Sequence, residues 1–221
     1  MIEAPFRTRV KICCISSLDE GRLAVQAGAD ALGLVGKMPS GPGIVPDHLA
    51  AQIVRATPPP VATFMLTSEI DSQSIIAHQQ RVGANTIQLV DAVPMGTYAQ
   101  IRAALPAVNV VQVLHVIDER TLDEAHQAIS DGADALLLDS GNPTLAVKEL
   151  GGTGRLHNWQ ISRKIVEQSS VPVFLAGGLN AENVRRAMET VQPYGLDICS
   201  GVRTNGELDA RKLDAFMRAI Q

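Results

Sequence analysis

Two hydrophobic rhythms take turns along the chain. Short, mostly apolar runs rich in Val, Leu and Ile alternate with longer segments in which apolar residues recur every third or fourth position. The first rhythm predicts strands buried on both faces, the second amphipathic helices packed over them. Strands are predicted over 10–16, 31–35, 61–66, 86–90, 110–116, 135–139, 171–176 and 196–199. Helices are predicted over 18–27, 46–56, 70–82, 98–105, 121–130, 159–168, 181–191 and 209–220. Ser16 or Ser17 is placed to cap the first helix and Gly28 to close it, while the breaker-rich stretch 36–43 reads as a loop. About eight β/α units imply a parallel sheet with right-handed crossovers, so the expected fold is a (β/α)8 TIM barrel filling 1–221 as a single domain. An open doubly wound sheet is the runner-up, disfavoured by the even alternation and by the lack of Gly-x-Gly-x-x-Gly after the first strand.

A repeat is laid over this alternation. Gly28-Ala29-Asp30, Gly83-Ala84-Asn85, Gly132-Ala133-Asp134 and Gly195-Leu196-Asp197 each read as a helix-ending glycine followed by a strand. They lie roughly 50 to 60 residues apart, the length of two β/α units. Five positions beyond the Asp or Asn of the first three copies stand Val35, Val90 and Asp139. A carboxylate where sister strands carry valine is costly to bury without a partner or a task, which marks Asp139 as a candidate catalytic group rather than a loop cap.

Composition narrows the classes of function. A net charge of −4 with no basic block gives no electrostatic footprint for nucleic acid or an anionic membrane, and neither is expected as a partner. The first residues lack the apolar core of a signal peptide, and no later run approaches the roughly 20 residues that span a bilayer, so a cytoplasmic protein is expected. The cysteines are Cys13, Cys14 and Cys199; two are adjacent, so no disulfide framework is expected. With aromatic residues at 3%, the core must be built from Val, Leu, Ile and Ala.

In such a barrel the chemistry sits where strands end and loops begin. Cys13 and Cys14 close the first strand and are expected on opposite faces, Cys13 sharing its face with Lys11. An active thiolate needs nearby positive charge, which Lys11 either supplies or, if solvated, does not. Phosphate is the most legible ligand. Gly177 and Gly178 follow the seventh strand, Ser200 and Gly201 the eighth, and Gly152 and Gly154 lie in the loop after the sixth. Glycines there let backbone N–H groups approach an anion. His115, His126 and His157 have no metal-ligand spacing, and neither metal nor cofactor is expected.

Taken in order, Lys11-Ile12-Cys13-Cys14-Ile15, Asp139-Ser140, Gly151-Gly152-Thr153-Gly154 with Trp159, 175–184 around Gly177-Gly178, and Asp197-Ile198-Cys199-Ser200-Gly201-Val202 resemble phosphoribosylanthranilate isomerase of tryptophan biosynthesis. The resemblance implies a cofactor-free Amadori rearrangement of a phosphoribosyl aminoaldose to an aminoketose, on a small phosphorylated sugar substrate, by a monomer or homodimer. It places Cys13 as general base, Asp139 as general acid and the glycine loops as the phosphate site. Five departures stand out. Glycine at Gly43 replaces an arginine that binds the anthranilate carboxylate, Cys14 replaces a glycine, Val90-Asp91 replaces His-Gly, and Arg203 replaces a glutamate; His157-Asn158-Trp159 likewise stands for F-D-W. They leave two alternatives beside the expected activity: isomerisation of a phosphorylated aminosugar lacking that carboxylate, or phosphosugar binding without turnover.

Overall fold

The computed structural model describes residues 7–39, 41–142, 144–145, 147–150 and 154–221. The barrel strands are β1 (Arg9–Ile12), β2 (Ala31–Val35), β3 (Ala62–Thr67), β4 (Thr86–Leu89), β5 (Asn109–His115), β6 (Ala135–Asp139), β7 (Val173–Leu175) and β8 (Gly195–Ile198). All pair in parallel with their sequence neighbours, and β8 closes on β1. The helices that follow are α1 (Leu18–Gln26), α2 (Asp47–Ala56), α3 (Ser72–Val82), α4 (Thr97–Ala104), α5 (Arg120–Asp131), α6 (Trp159–Gln168), α7 (Val184–Val191) and α8 (Ala210–Ala219). The fold is therefore the (β/α)8 barrel that the periodicity implies. Its largest apolar cluster runs between strands and helices, where Ile12, Leu32, Ile75, Leu136, Leu175 and Phe216 interlock, while a second cluster fills the barrel interior around Phe64, Leu137 and Phe174. Among the described residues no helix is long and apolar enough to cross a membrane.

The start and stop signals act as local chemistry requires. Ser17 caps α1 by accepting from the Glu20 N–H, Asp71 caps α3 and Asn158 caps α6. Helix α7 starts at Val184, later than position 181, because Asn180 and Asn183 spend their side chains on a turn ahead of it. The patterning missed a short 3-10 turn, Ser200–Val202, and a hairpin of β9 (Arg203–Thr204) with β10 (Glu207–Leu208), which are too short to carry a period.

The repeat proves to be a device for starting strands. Asp30 accepts from the Val10 N–H at 2.9 Å, Asn85 from the Thr63 N–H at 3.0 Å and Asp134 from the Val110 N–H at 2.8 Å. Each ties the foot of an even strand to the odd strand before it. The fourth copy is a correction. Gly195 lies inside β8, where a Cβ would meet the Phe174 ring at 2.6 Å, and the left-handed helix end there is Gln192. Asp197 accordingly lies within the strand and faces the barrel interior instead of its foot.

Candidate active site

The floor of the site is an ion pair. Parallel pairing of β1 with β8 sets Lys11 beside Asp197, and Lys11 Nζ donates to Asp197 Oδ1 at 2.8 Å. Lys11 is 0% exposed, so it is not the solvated lysine that one reading of the sequence allowed. Burial opposes its charge, but the Asp197 carboxylate and the Cys13 thiol outweigh it and hold the ammonium above the usual lysine range. Asp197 is pushed up by the same burial, with Lys11 opposing. The charged pair is the state favoured by a 2.8 Å contact. Room for it comes from β2: a Cβ on Gly33 would lie 2.7 Å from Cys13 Sγ and 2.9 Å from Lys11 Nζ.

Above the pair the first strand ends abnormally. Cys14 has φ 63, a left-handed backbone uncommon for a residue with a Cβ. The expectation that Cys13 and Cys14 face opposite ways fails for that reason, because the turn at Cys14 swings its side chain back and both line one cleft. Arg203 holds this turn. Its guanidinium donates to the carbonyls of Cys14 at 2.6 Å and Cys13 at 3.2 Å, and it is itself held by Glu20 at 2.9 Å. Burial pushes the Glu20 carboxyl up, but Arg203 and the N–H groups of Ser16 and Leu208 outweigh it and bring the carboxyl below its ordinary value. Cys14 Sγ lies 2.7 Å from Cys199 Sγ at the end of β8. The same side chain explains Gly43, whose φ is +80 and whose Cβ, if it had one, would sit 2.5 Å from Cys14 Cβ. Cys14 and Gly43 are two halves of one fit.

Cys13, Asp139, Val35 and Val90 all line one cleft at the strand C-termini. Asp139 ends β6, in register with His115, and Oδ1 accepts from the Ser140 N–H at 2.7 Å. Gly154, Gly177, Gly178 and Ser200 line the same cleft, so three loops converge there. Gly177 and Gly178 have φ of 82 and 63, and a Cβ on Gly178 would come within 2.9 Å of the Arg155 carbonyl. Gly201 stands apart: it is absent from the lining, and a Cβ there would meet the Leu179 carbonyl oxygen at 2.0 Å, so its task is close packing of the two loops. Gly152 lies outside the described residues.

Two histidines sit near the rim. His115 Nε2 donates to the Val90 carbonyl at 3.1 Å, and the ring is buried against the loop at Gly141. It does not line the cleft. His157 Nε2 contacts Ser162 Oγ at 2.8 Å. Burial pushes its imidazole down to about 4 from 6.5, against the pull of the Asp139 carboxylate. The unfolded chain therefore binds a proton below pH 6.5 that the folded chain refuses until about 4. Stability present above 6.5 is lost as pH falls through that window, by about 3 kcal/mol in all. Replacing His157→Gln is expected to flatten that loss, as read from urea midpoints at about pH 7 and about pH 4.5.

Sequence reasoning overlooked the Lys11–Asp197 pairing, the Arg203 clamp and Gln88, which lines the cleft with Oε1 buried and unpartnered among the described residues. Lys11 and Asp197 carried a readable signal, since each is a charge inside an apolar strand, but only register joins them.

A closed barrel with a thiol, a carboxylate and a glycine cradle around one cleft at its strand C-termini defines a (β/α)8-barrel enzyme. The family model for N-(5'phosphoribosyl)anthranilate (PRA) isomerase matches residues 10–219. The N-(5'-phosphoribosyl)anthranilate isomerase 2 of Methanosarcina mazei is 35% identical over 211 residues, covering 95% of this chain and 92% of its own. The crystal structure of phosphoribosyl anthranilate isomerase from Thermotoga maritima superposes with a TM-score of 0.82 at 28% identity, covering 96% of this chain and 98% of that one. A phosphoribosyl anthranilate isomerase in complex with reduced 1-(o-carboxyphenylamino)-1-deoxyribulose 5-phosphate superposes with a TM-score of 0.79 at 26% identity, again covering 96% and 98%. The chain belongs to the phosphoribosylanthranilate isomerase family, the aldose–ketose isomerases of tryptophan biosynthesis.

Proposed function

We propose that the protein converts an N-linked phosphoribosyl aminoaldose to its aminoketose without a cofactor, phosphoribosylanthranilate being the first substrate to test, with Cys13 as general base and Asp139 as general acid. The observation that carries this reading is that both residues line one cleft together with Gly154, Gly177, Gly178 and Ser200. Asp139 protonates the furanose oxygen, so the C1′–O bond breaks and a Schiff base forms. Cys13, as thiolate, then takes the C2′ proton, giving an enol that settles as the ketone. Lys11, beside Cys13, keeps a cation next to the thiolate that takes the proton. Backbone N–H groups of the cradle hold the phosphate, which fits a family member crystallised with a phosphorylated ligand. We read 1–221 as a single barrel domain acting as monomer or homodimer in the cytoplasm. The test is direct: loss of phosphoribosylanthranilate fluorescence at a rate typical of enzymes, on the order of 1 to 1000 per second. Binding without turnover would overturn the catalytic reading.

A second reading keeps the chemistry and changes the aglycone. It is favoured by one observation, that Cys14 fills the space a side chain at position 43 would need. If the natural substrate lacks the anthranilate carboxylate, Gly43→Arg alone brings no gain, because it collides with Cys14. The double variant Cys14→Gly, Gly43→Arg is expected to lower KM for phosphoribosylanthranilate by roughly 10-fold or more, the value of a charge-assisted contact. Equal KM in all three proteins would show that another group already binds the carboxylate.

A further inference from the structure

We propose that Cys14 and Cys199 form a reversible redox site on the wall of the active cleft, a dithiol that peroxides oxidise to a disulfide and dithiol reductants reopen. Two thiols from strands at opposite ends of the chain meet at 2.7 Å between sulfurs, beside the candidate base and beside Ser200 of the phosphate cradle. The approach is maintained at a cost, since it needs a left-handed Cys14 and a glycine at position 43 to clear it. Arg203 pins the turn by holding the Cys13 and Cys14 carbonyls. Cys199 is the less buried of the two and lines the open cleft, so a small oxidant reaches it first. Its environment suits attack: hydrogen bonding from Cys14, opposed by burial and aided by the Arg203 guanidinium, brings the Cys199 thiol below its ordinary value, while hydrogen bonding to Cys13 and Cys199 holds Cys14 well above.

The electron count closes with a peroxide as oxidant. The Cys199 thiolate attacks the peroxide O–O bond, taking one oxygen as a sulfenic acid and releasing an alcohol or water. Cys14 sulfur then attacks that sulfur and hydroxide leaves, taking the Cys14 proton as water. Two electrons pass from the thiols to the peroxide. Closing the bond draws the sulfurs from 2.7 Å to about 2.05 Å. It ties the ends of β1 and β8 together and fixes Cys14 beside the candidate base on the wall of the cleft. Loss of turnover on oxidation rests on the proposed catalytic role of Cys13, whereas formation of the bond does not.

The experiment treats the purified full-length protein with hydrogen peroxide and reads two signals. The first is chemical: titratable thiols in denaturant should fall from three to one, with a mass loss of about 2 Da and full recovery in dithiothreitol. Tryptic peptides should join 12–22 to 187–203, and the link should persist in Cys13→Ala but vanish in Cys14→Ser and in Cys199→Ser. The second is turnover, each protein scaled to its own untreated rate: wild type should fall roughly 10-fold or more and recover with reductant, while Cys199→Ser keeps its rate. Three thiols remaining, or a link that disappears in Cys13→Ala, overturns the site. A disulfide that forms without changing turnover overturns its control of the cleft and leaves the dithiol itself established.

Discussion

Serine at position 13 and asparagine at position 139 are each expected to cut kcat by roughly 10²- to 10⁴-fold, the usual worth of a positioned acid or base. The substituted groups keep the shape of the cleft and lose the proton chemistry. A serine hydroxyl beside Lys11 ionises far less readily than a thiol, and an asparagine amide has no proton to deliver to a ring oxygen. Neither change disturbs the cradle at Gly154, Gly177, Gly178 and Ser200, so calorimetric affinity for the phosphorylated product should stay within a few-fold of wild type. The double variant should be little worse than either single one, since the two groups serve one rearrangement and their losses do not add. Full activity in either single variant would remove that residue from the mechanism. A parallel collapse of affinity would place it in binding instead.

Much of the fold is legible in the chain itself. Strand β6 and helix α6 match the periodic reading residue for residue, because fully buried apolar runs and an Asn158 cap leave little choice. Asp139 was found by a rule that needs no structure: three strand ends of one repeat, of which one is charged. What could not be read is whatever depends on register or on a backbone exception. Nothing local says that Lys11 meets Asp197, since 186 residues separate them and only β1–β8 closure brings them together. Alternation predicted that Cys14 would face away from Cys13, and a single left-handed residue reversed it. Gly201 looked like a phosphate ligand by composition, yet the Leu179 carbonyl behind it gives the glycine a packing reason. Gly195 looked like a helix end for the same compositional reason, and the Phe174 ring gives it another.

Removing the cation under the site should be nearly as damaging as removing the base, by a different route. Lys11→Met leaves the Asp197 carboxylate buried with no counter-charge, and breaking such a pair from one side costs about 3–5 kcal/mol. That is a large part of the 5–15 kcal/mol that holds a domain of ordinary stability. The loss has a pH signature. Without Lys11, burial raises the folded-state Asp197 pKa further, and an acid whose folded value lies above its unfolded value stabilises the native state only while it is protonated. The variant should therefore be least stable at neutral pH and regain ground as pH falls toward the unfolded carboxyl range. Urea midpoints across that range measure it. Lys11→Met with Asp197→Leu removes both charges, replacing the pair by apolar bulk, and should recover most of the stability. It should not recover turnover, because the cation set against Cys13 is still missing. Stability and catalysis then separate in one pair of proteins. A double variant that is stable and also fully active would mean that Lys11 serves only to neutralise Asp197, and that Cys13 works without a neighbouring charge.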